Sequence, residues 1–168
     1  MKKLVFSLIL ISLVISCGSV ETDSELFQKG KTLVEQKNIP EAVTAYEQLL
    51  KEYPQSSHAD SALYNLASIY QYSMVPNLQE KLSLQKAASY FKRIYEEYPE
   101  RDLAPAGLFM CGYIEANELK DYDAATKTYN LFLEKYPDTE FAVSAKAELE
   151  NMGLAPEEIL KKNLAKEK

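Results

Sequence analysis

Apolar and polar positions follow a helical spacing along this chain, and one pattern occurs three times, each time ending at a Tyr-Pro pair. Counted back from each proline, a small residue stands at −12, an aromatic residue at −8, and apolar residues at −5 and −4. These offsets fall on one stripe of a helix with 3.6 residues per turn. Proline ends that helix because it lacks a backbone N–H and restricts the residue before it. The three prolines are Pro54, Pro99 and Pro137.

A second kind of helix follows each proline after a short polar turn. Small residues recur there at +5 and +8, and they are Ala59, Ala104 and Ala142, then Ala62, Gly107 and Ala145. The repeated unit is therefore a pair of helices, and a period of roughly 34 to 45 residues predicts an all-α repeat protein. We expect the first (A) helices of the three repeats over about 23–37, 58–73 and 104–119. The second (B) helices are expected over about 40–53 in the first repeat, ending at 98 in the second, and over 122–136 in the third. A closing helix is expected over 140–152.

The pattern resembles the tetratricopeptide repeat (TPR) family. The second copy carries the family's positions most fully, as Leu63, Leu66, Ala67, Tyr70, Ala87, Phe91 and Pro99. In the third copy, Glu115 stands where the family has tyrosine. The resemblance covers Asp23 to Asn151 and implies an α-solenoid of three TPR helix-turn-helix repeats plus a C-terminal capping helix.

The N-terminus has the pattern of an export signal. Two lysines precede about a dozen apolar residues, which is typical of a secretory signal peptide and short for a membrane span. The stretch ends at Val14-Ile15-Ser16-Cys17, which resembles the bacterial lipobox; the alternative is an ordinary signal with a chance cysteine. The resemblance implies lipidation of Cys17 and removal of residues 1–16. Gly18 rather than Asp follows the cysteine, and for this reason the resemblance also favours a location in the outer membrane. In an organism with one membrane, the location would be the outer face of the cell membrane.

Four segments follow from these patterns. We expect a signal peptide over 1–16, a lipidated N-terminus and tether over 17–22, a TPR domain over 23–152, and a short C-terminal helix and tail over 153–168. The repeats occupy about 23–54, 58–99 and 104–137. The second repeat contains extra sequence, for which we expect a loop over 71–77 and a B helix lengthened by about two turns, with Asn77 at its start. This insertion is either a tolerated surface loop or an edge that contacts a partner.

Composition excludes several function classes. The formal charge of −6 becomes −8 once Lys2 and Lys3 are removed, and an acidic domain does not suit nucleic-acid binding. The only histidine, His58, lies in a turn between repeats, and Cys111 is expected to be a buried packing residue, so no metal site, cofactor or disulfide is expected. No catalytic motif is present, and the sequence predicts a protein that is not an enzyme.

The TPR resemblance also implies a binding surface. In that family the inner face is lined by three A-helix positions per repeat. They correspond here to Phe27, Lys31 and Val34, to Tyr64, Ser68 and Gln71, and to Phe109, Tyr113 and Ala116. We expect Phe27, Tyr64 and Phe109 to form a row of rings, with Tyr113, Lys31 and Ser68 beside it, that binds an apolar or extended peptide. The alternative is that the C-terminal helices cover this row.

These features predict a membrane-anchored, non-catalytic interaction scaffold of the bacterial cell envelope. Its parts resemble the lipoprotein of the outer-membrane β-barrel assembly machinery, which carries five repeats, and the Tol-Pal accessory protein, which is not lipidated. The resemblance implies a protein partner in the envelope and a role in outer-membrane protein assembly. A Tol-Pal-like or polysaccharide-export accessory binding protein is the alternative.

Overall fold

The computed structural model describes residues 20–166 and confirms the all-α prediction, since no strand occurs within that range. The helices are α1 (Asp23–Glu35), α2 (Ile39–Glu52), α3 (Ala59–Gln71), α4 (Glu80–Glu97), α5 (Leu103–Tyr113), α6 (Tyr122–Lys135), α7 (Phe141–Asn151) and α8 (Pro156–Lys166). A π-helical segment, Ile114–Glu118, continues α5. Helices α1 to α7 pack in chain order, so each pair forms a hairpin on the next, as in a solenoid.

The Tyr-Pro tyrosines close the three hairpins. Each lies at the end of a B helix and donates a hydrogen bond from its hydroxyl to a backbone carbonyl just before the A helix of the same repeat. The bonds are Tyr53 to Glu21 O at 2.8 Å, Tyr98 to Pro54 O at 2.8 Å and Tyr136 to Pro99 O at 3.4 Å. The pattern explains why tyrosine, rather than phenylalanine, precedes each proline: the ring packs and the hydroxyl fixes the register of the pair.

Close packing within the first and third hairpins depends on a glycine in the A helix. A Cβ at Gly30 would lie 2.5 Å from Cε1 of Tyr46, and a Cβ at Gly112 would lie 2.9 Å from Cε1 of Tyr129. Both tyrosines are fully buried, so their rings have little room to move. The small residue therefore sets how near the two helices of a repeat approach.

Side chains from the inter-repeat turns join consecutive repeats. The Ser56 hydroxyl donates to Asp23 at 2.6 Å, and the Arg101 guanidinium donates to Asp60 at 3.0 Å. Both donors stand two residues after the repeat's proline, and both carboxylates stand three residues before the first leucine of an A helix. Arg101 also lies 4.7 Å from the centre of the Tyr98 ring, which combines an ion pair with a cation–π contact.

The third A helix departs from α-helical geometry where its sequence departs from the family. The N–H of Leu119 donates to Ile114 O at 2.9 Å, which is the bond from residue i to i−5 that defines a π turn. Glu115, at the tyrosine position, accepts a hydrogen bond from the Thr128 hydroxyl at 2.6 Å. The predicted single helix over 104–119 is thus an α-helix followed by a π segment, in which a carboxylate replaces an aromatic packing contact.

The insertion in the second repeat lengthens α4 less than the sequence predicts. Helix α4 has 18 residues against 14 in α2 and 14 in α6, so the extension is about one turn rather than two. Asn77 does not start the helix; it has a φ of 58° in a turn, and the helix begins at Glu80. The reason is that the loop before the helix packs its apolar residues on the core, namely Met74, Val75 and Leu78.

The C-terminal helix is longer than expected. The sequence predicts a short helix followed by a tail over 153–168, but α8 runs from Pro156 to Lys166 and occupies most of that range. Its first turn is capped by the Glu158 carboxylate, which accepts from the N–H of Ala155 at 2.8 Å. Lys162 then donates to Glu150 O at 2.7 Å, which ties the helix to the end of α7.

The predicted signal peptide and Cys17 lie outside the described residues. Within residues 20–166, no helix combines the length and apolarity that crossing a membrane requires. The fold begins at Thr22, whose hydroxyl accepts from the N–H of Glu25 while the Glu25 carboxylate accepts from the N–H of Thr22, a complete capping box.

Candidate functional site

The face lined by the A helices, here called the groove face, carries a cavity at each end. The N-terminal cavity, about 230 Å³, lies between α1 and α3. It brings together two of the predicted groove residues, Lys31 and Ser68, with apolar walls from Val34, Ile69 and Met74. An exposed lysine beside apolar walls can bind both an apolar side chain and an anionic group of a ligand.

The floor of the N-terminal cavity is a polar pair. The Tyr46 hydroxyl accepts a hydrogen bond from Nδ2 of Asn65 at 3.2 Å. Burial raises the pKa of Tyr46 to about 12, so the hydroxyl stays protonated at neutral pH and keeps a proton to donate. Both side chains line the cavity, and the hydrogen bond between them holds them in place.

Two of the predicted groove rings are packing residues in part. Phe27 stacks on the His58 ring, with centroids 4.7 Å apart and planes inclined by 7°. Phe109 stacks on Phe141 at 5.1 Å and also contacts rings of α6. Both are half-buried, and among the ring pairs of residues 20–166 none joins Phe27, Tyr64 or Phe109 to another of the three. The rings therefore lie in separate repeats, each turned onto its own neighbours, rather than in one stack.

Tyr64 and Tyr113 are the groove aromatics that remain accessible. Tyr64 is 37% exposed and meets Phe91 edge-on at 5.4 Å, and Tyr113 is 36% exposed. The Ser68 hydroxyl donates back to Tyr64 O at 2.9 Å, so it is held along its own helix. The Tyr64 ring, held at one edge by Phe91 and open at the other, is an efficient contact for a partner, since little side-chain freedom is lost on binding.

The C-terminal cavity is the larger one, at about 430 Å³, and sequence reasoning missed it. Its lining comes from the π segment, the start of α6, α7 and α8, and includes Ala116, Asn117, Lys120, Glu148, Asn151 and Ile159. Only Ala116 was among the predicted lining positions. The predicted lining positions of α3 and α5 lie 10, 14 and 17 residues after Pro54 and Pro99. The same count from Pro137 gives Ala147 and Asn151 on α7 and Leu154 just beyond it, and all three line this cavity.

The C-terminal helices cover the groove face only in part. Helix α7 covers Phe109 through Phe141, whereas α8 meets the end of α7 through Lys162, which donates to Glu150 O and Asn151 Oδ1. Tyr64 and Tyr113 keep their exposure. The groove face is therefore open over its middle.

The remaining candidates for chemistry are packing residues. Cys111 is 1% exposed, and burial raises the pKa of its thiol, with the nearby Glu115 carboxylate adding to the shift. His58 is half-buried under Phe27 at the start of α3. In residues 20–166, no group of three or more His, Cys, Asp or Glu side chains is arranged to hold a metal ion.

Comparison with known proteins gives one result. A family model described as outer membrane lipoprotein, YfiO, matches residues 20–164. No curated protein matches the chain. The matched range contains all the helices described above except the last residues of α8.

Proposed function

The chain belongs to the YfiO family of outer membrane lipoproteins, and from this premise we propose that it is a non-catalytic scaffold that binds an extended peptide segment of another envelope protein. The family accounts for an outer-membrane location by lipid anchor and for protein partners in the envelope. The partner segment lies along the groove face. The scaffold acts in the assembly of outer-membrane proteins.

One observation carries the binding proposal. Tyr64 and Tyr113 stay more than a third exposed on the groove face, between two cavities, whereas the aromatic residues at the packing positions of the same repeats are buried. Exposed tyrosines beside concave apolar pockets are typical anchors for extended peptides. The alternating rings and cavities suit a segment with apolar side chains spaced along it.

The anchor proposal rests on the short chain before the fold. We propose that Cys17 carries the lipid. It precedes the capping-box residue Thr22 by only five residues, a reach of roughly 17 Å even when fully extended. The start of α1 is then held close to the bilayer. Two or more acyl chains contribute about 0.8 kcal/mol per buried CH₂, which gives stable attachment without a membrane-spanning helix.

The absence of catalysis is part of the proposal. The cysteine with a raised thiol pKa and the buried tyrosines with raised hydroxyl pKa values hold their protons at neutral pH, so they do not supply a nucleophile or base. Their positions in the helix-pairing stripes account for their burial.

Photo-crosslinking in living cells tests the binding proposal. A benzoyl-phenylalanine replacing Ser68, between Tyr64 and the N-terminal cavity, should capture a discrete envelope protein. The same residue replacing Lys127, exposed on the B helix α6, is the matched control and should not. Equal capture at both sites, or no capture at Ser68, refutes the proposal that a partner binds along the groove face. Capture of glycan instead of protein would favour the polysaccharide-export alternative.

A further inference from the structure

The C-terminal cavity continues the groove face beyond the third repeat. Counted from Pro54 and Pro99, the prolines that precede α3 and α5, the predicted lining positions stand at +10, +14 and +17. Counted from Pro137, these positions are Ala147 and Asn151 on α7 and Leu154 just beyond its end, and all three line the cavity. The incomplete fourth unit thus adds a pocket to the groove rather than simply ending the array.

The two end cavities differ at one equivalent position. The residue at +11 is Asn65 in the N-terminal cavity and Glu148 in the C-terminal one. Asn65 donates to the Tyr46 hydroxyl, whereas Tyr129, which matches Tyr46, has a fully buried hydroxyl with no partner among residues 20–166. A neutral pair at one end of the groove is therefore replaced by a carboxylate and an unpaired hydroxyl at the other.

Glu148 is a half-buried carboxylate held by a neutral donor. It accepts from Nδ2 of Asn117 at 3.0 Å, and no lysine or arginine whose side chain the structure describes, over residues 20–165, forms an ion pair with it. Lys120 lines the same cavity but is exposed to solvent. The contrast is Asp60, a buried carboxylate that has Arg101 beside it. A partly desolvated charge attracts a counter-charge more strongly than an exposed one does.

We propose that the C-terminal cavity binds a cationic side chain of the partner segment, arginine in the first place, with Glu148 as its counter-charge. The proposal rests on the groove-binding function proposed above and names one end of the partner. Arginine fits best because its planar fork bonds both oxygens of a carboxylate at once. A cavity of about 430 Å³ is within the size range of sites for small ligands.

The charge gives the bound segment a direction. Its basic residue lies at the α7 end of the groove, and its apolar residues lie against Tyr113, Tyr64 and the N-terminal cavity. The domain's net negative charge further favours a basic partner during approach. A segment bound in the reverse direction would leave Glu148 desolvated without a counter-charge.

Nuclear magnetic resonance titration tests the subsite without the partner. The probes are acetyl-arginine methylamide and its neutral isostere, acetyl-citrulline methylamide, added to the ¹⁵N-labelled mature chain in detergent micelles. Arginine should shift the Asn117 side-chain amide and the backbone amides of residues 147–151. Citrulline should bind at least tenfold more weakly.

A matched pair of variants completes the test. Glu148→Gln keeps the shape and the bond from Asn117, so it should fold normally and lose the arginine response at least tenfold. Glu140→Gln, at an exposed site just before α7, should keep it. Equal responses to both probes, or an unchanged response in Glu148→Gln, overturns the subsite. Because no partner is involved, a failed titration leaves the crosslinking test of the groove untouched, and the reverse also holds.

Discussion

The ion pair between Arg101 and Asp60 should contribute measurably to stability because it joins two repeats at a site that excludes most water. The side chains are 28% and 11% exposed, respectively, and the nitrogen-to-oxygen distance is 3.0 Å. Arg101→Met keeps the alkyl packing on Tyr98 but leaves the Asp60 carboxylate desolvated without its donor. Asp60→Asn removes the charge and keeps the shape.

The expected magnitudes follow from the geometry. A hydrogen bond to a charged group contributes about 1.5–3 kcal/mol, and the lost cation–π contact adds about 0.5–1 kcal/mol. Asp60 lies in the first turn of α3, where the helix dipole stabilises its carboxylate by about 0.3–1 kcal/mol whether or not Arg101 is present, so only Asp60→Asn loses this contribution. Arg101→Met should therefore reduce the free energy of unfolding by about 2–4 kcal/mol, Asp60→Asn by about 1–2, and the coupling between them should be about 1–2.

Urea unfolding of the wild type, both single variants and the double variant measures that coupling. The control is the pair Arg93 and Glu97 on α4, which are four residues apart and 35% and 40% exposed. Its coupling should be only about 0.3–0.5 kcal/mol and should disappear in concentrated salt. If the two cycles give the same coupling, burial does not strengthen the inter-repeat pair and the reasoning is wrong.

Two further predictions concern α1. Gly30→Ala gains about 1 kcal/mol in helix propensity but costs about 1–3 kcal/mol in overpacking, because the new Cβ would lie 2.5 Å from Cε1 of the buried Tyr46 ring. The urea midpoint should fall, and a rise would show that the hairpin can spread freely. The hydrogen bond from Ser56 holds the pKa of Asp23 below its ordinary value. The charged carboxylate therefore stabilises the fold at pH values above its unfolded-state pKa. That stabilisation is lost as the pH falls through the lower, folded-state pKa. Asp23→Asn should therefore flatten the decline of the urea midpoint between about pH 5 and 3, and an unchanged slope would contradict the assignment.

The helix ends marked by prolines could be predicted from the sequence because their causes are local. Pro54, Pro99 and Pro137 each follow directly on a B helix cap, and Gly153 adopts the left-handed conformation expected just after a helix, with a φ of 78°. The length of α8 could not be predicted in the same way. It depends on Lys162 reaching a carbonyl of α7, a contact between elements that periodicity does not reveal.

The groove could be predicted only at the level of positions. Two residues named by the A-helix count, Lys31 and Ser68, line the N-terminal cavity, and their part in peptide binding stays a prediction. The count does not show which rings are covered by other side chains. Phe27 is covered by His58 from the next repeat, and Phe109 is covered by Phe141 from α7. Those contacts depend on how consecutive repeats stack, which the pattern within one repeat does not fix.

The π segment shows how one sequence departure shapes the C-terminal cavity. The A helix of the third repeat serves two cores: Cys111 and Ile114 pack in the first, and Leu108 and Ala116 in the second. Ile114 and Ala116 are two residues apart and point to nearly opposite faces, about 200° apart on an ideal α-helix, and both are buried because one faces each core. The π segment that contains them is tied to α6 by the bond from Thr128 to Glu115. It also carries the next residue, Asn117, to the side of Glu148, so the carboxylate of the proposed arginine subsite is oriented by the same irregularity.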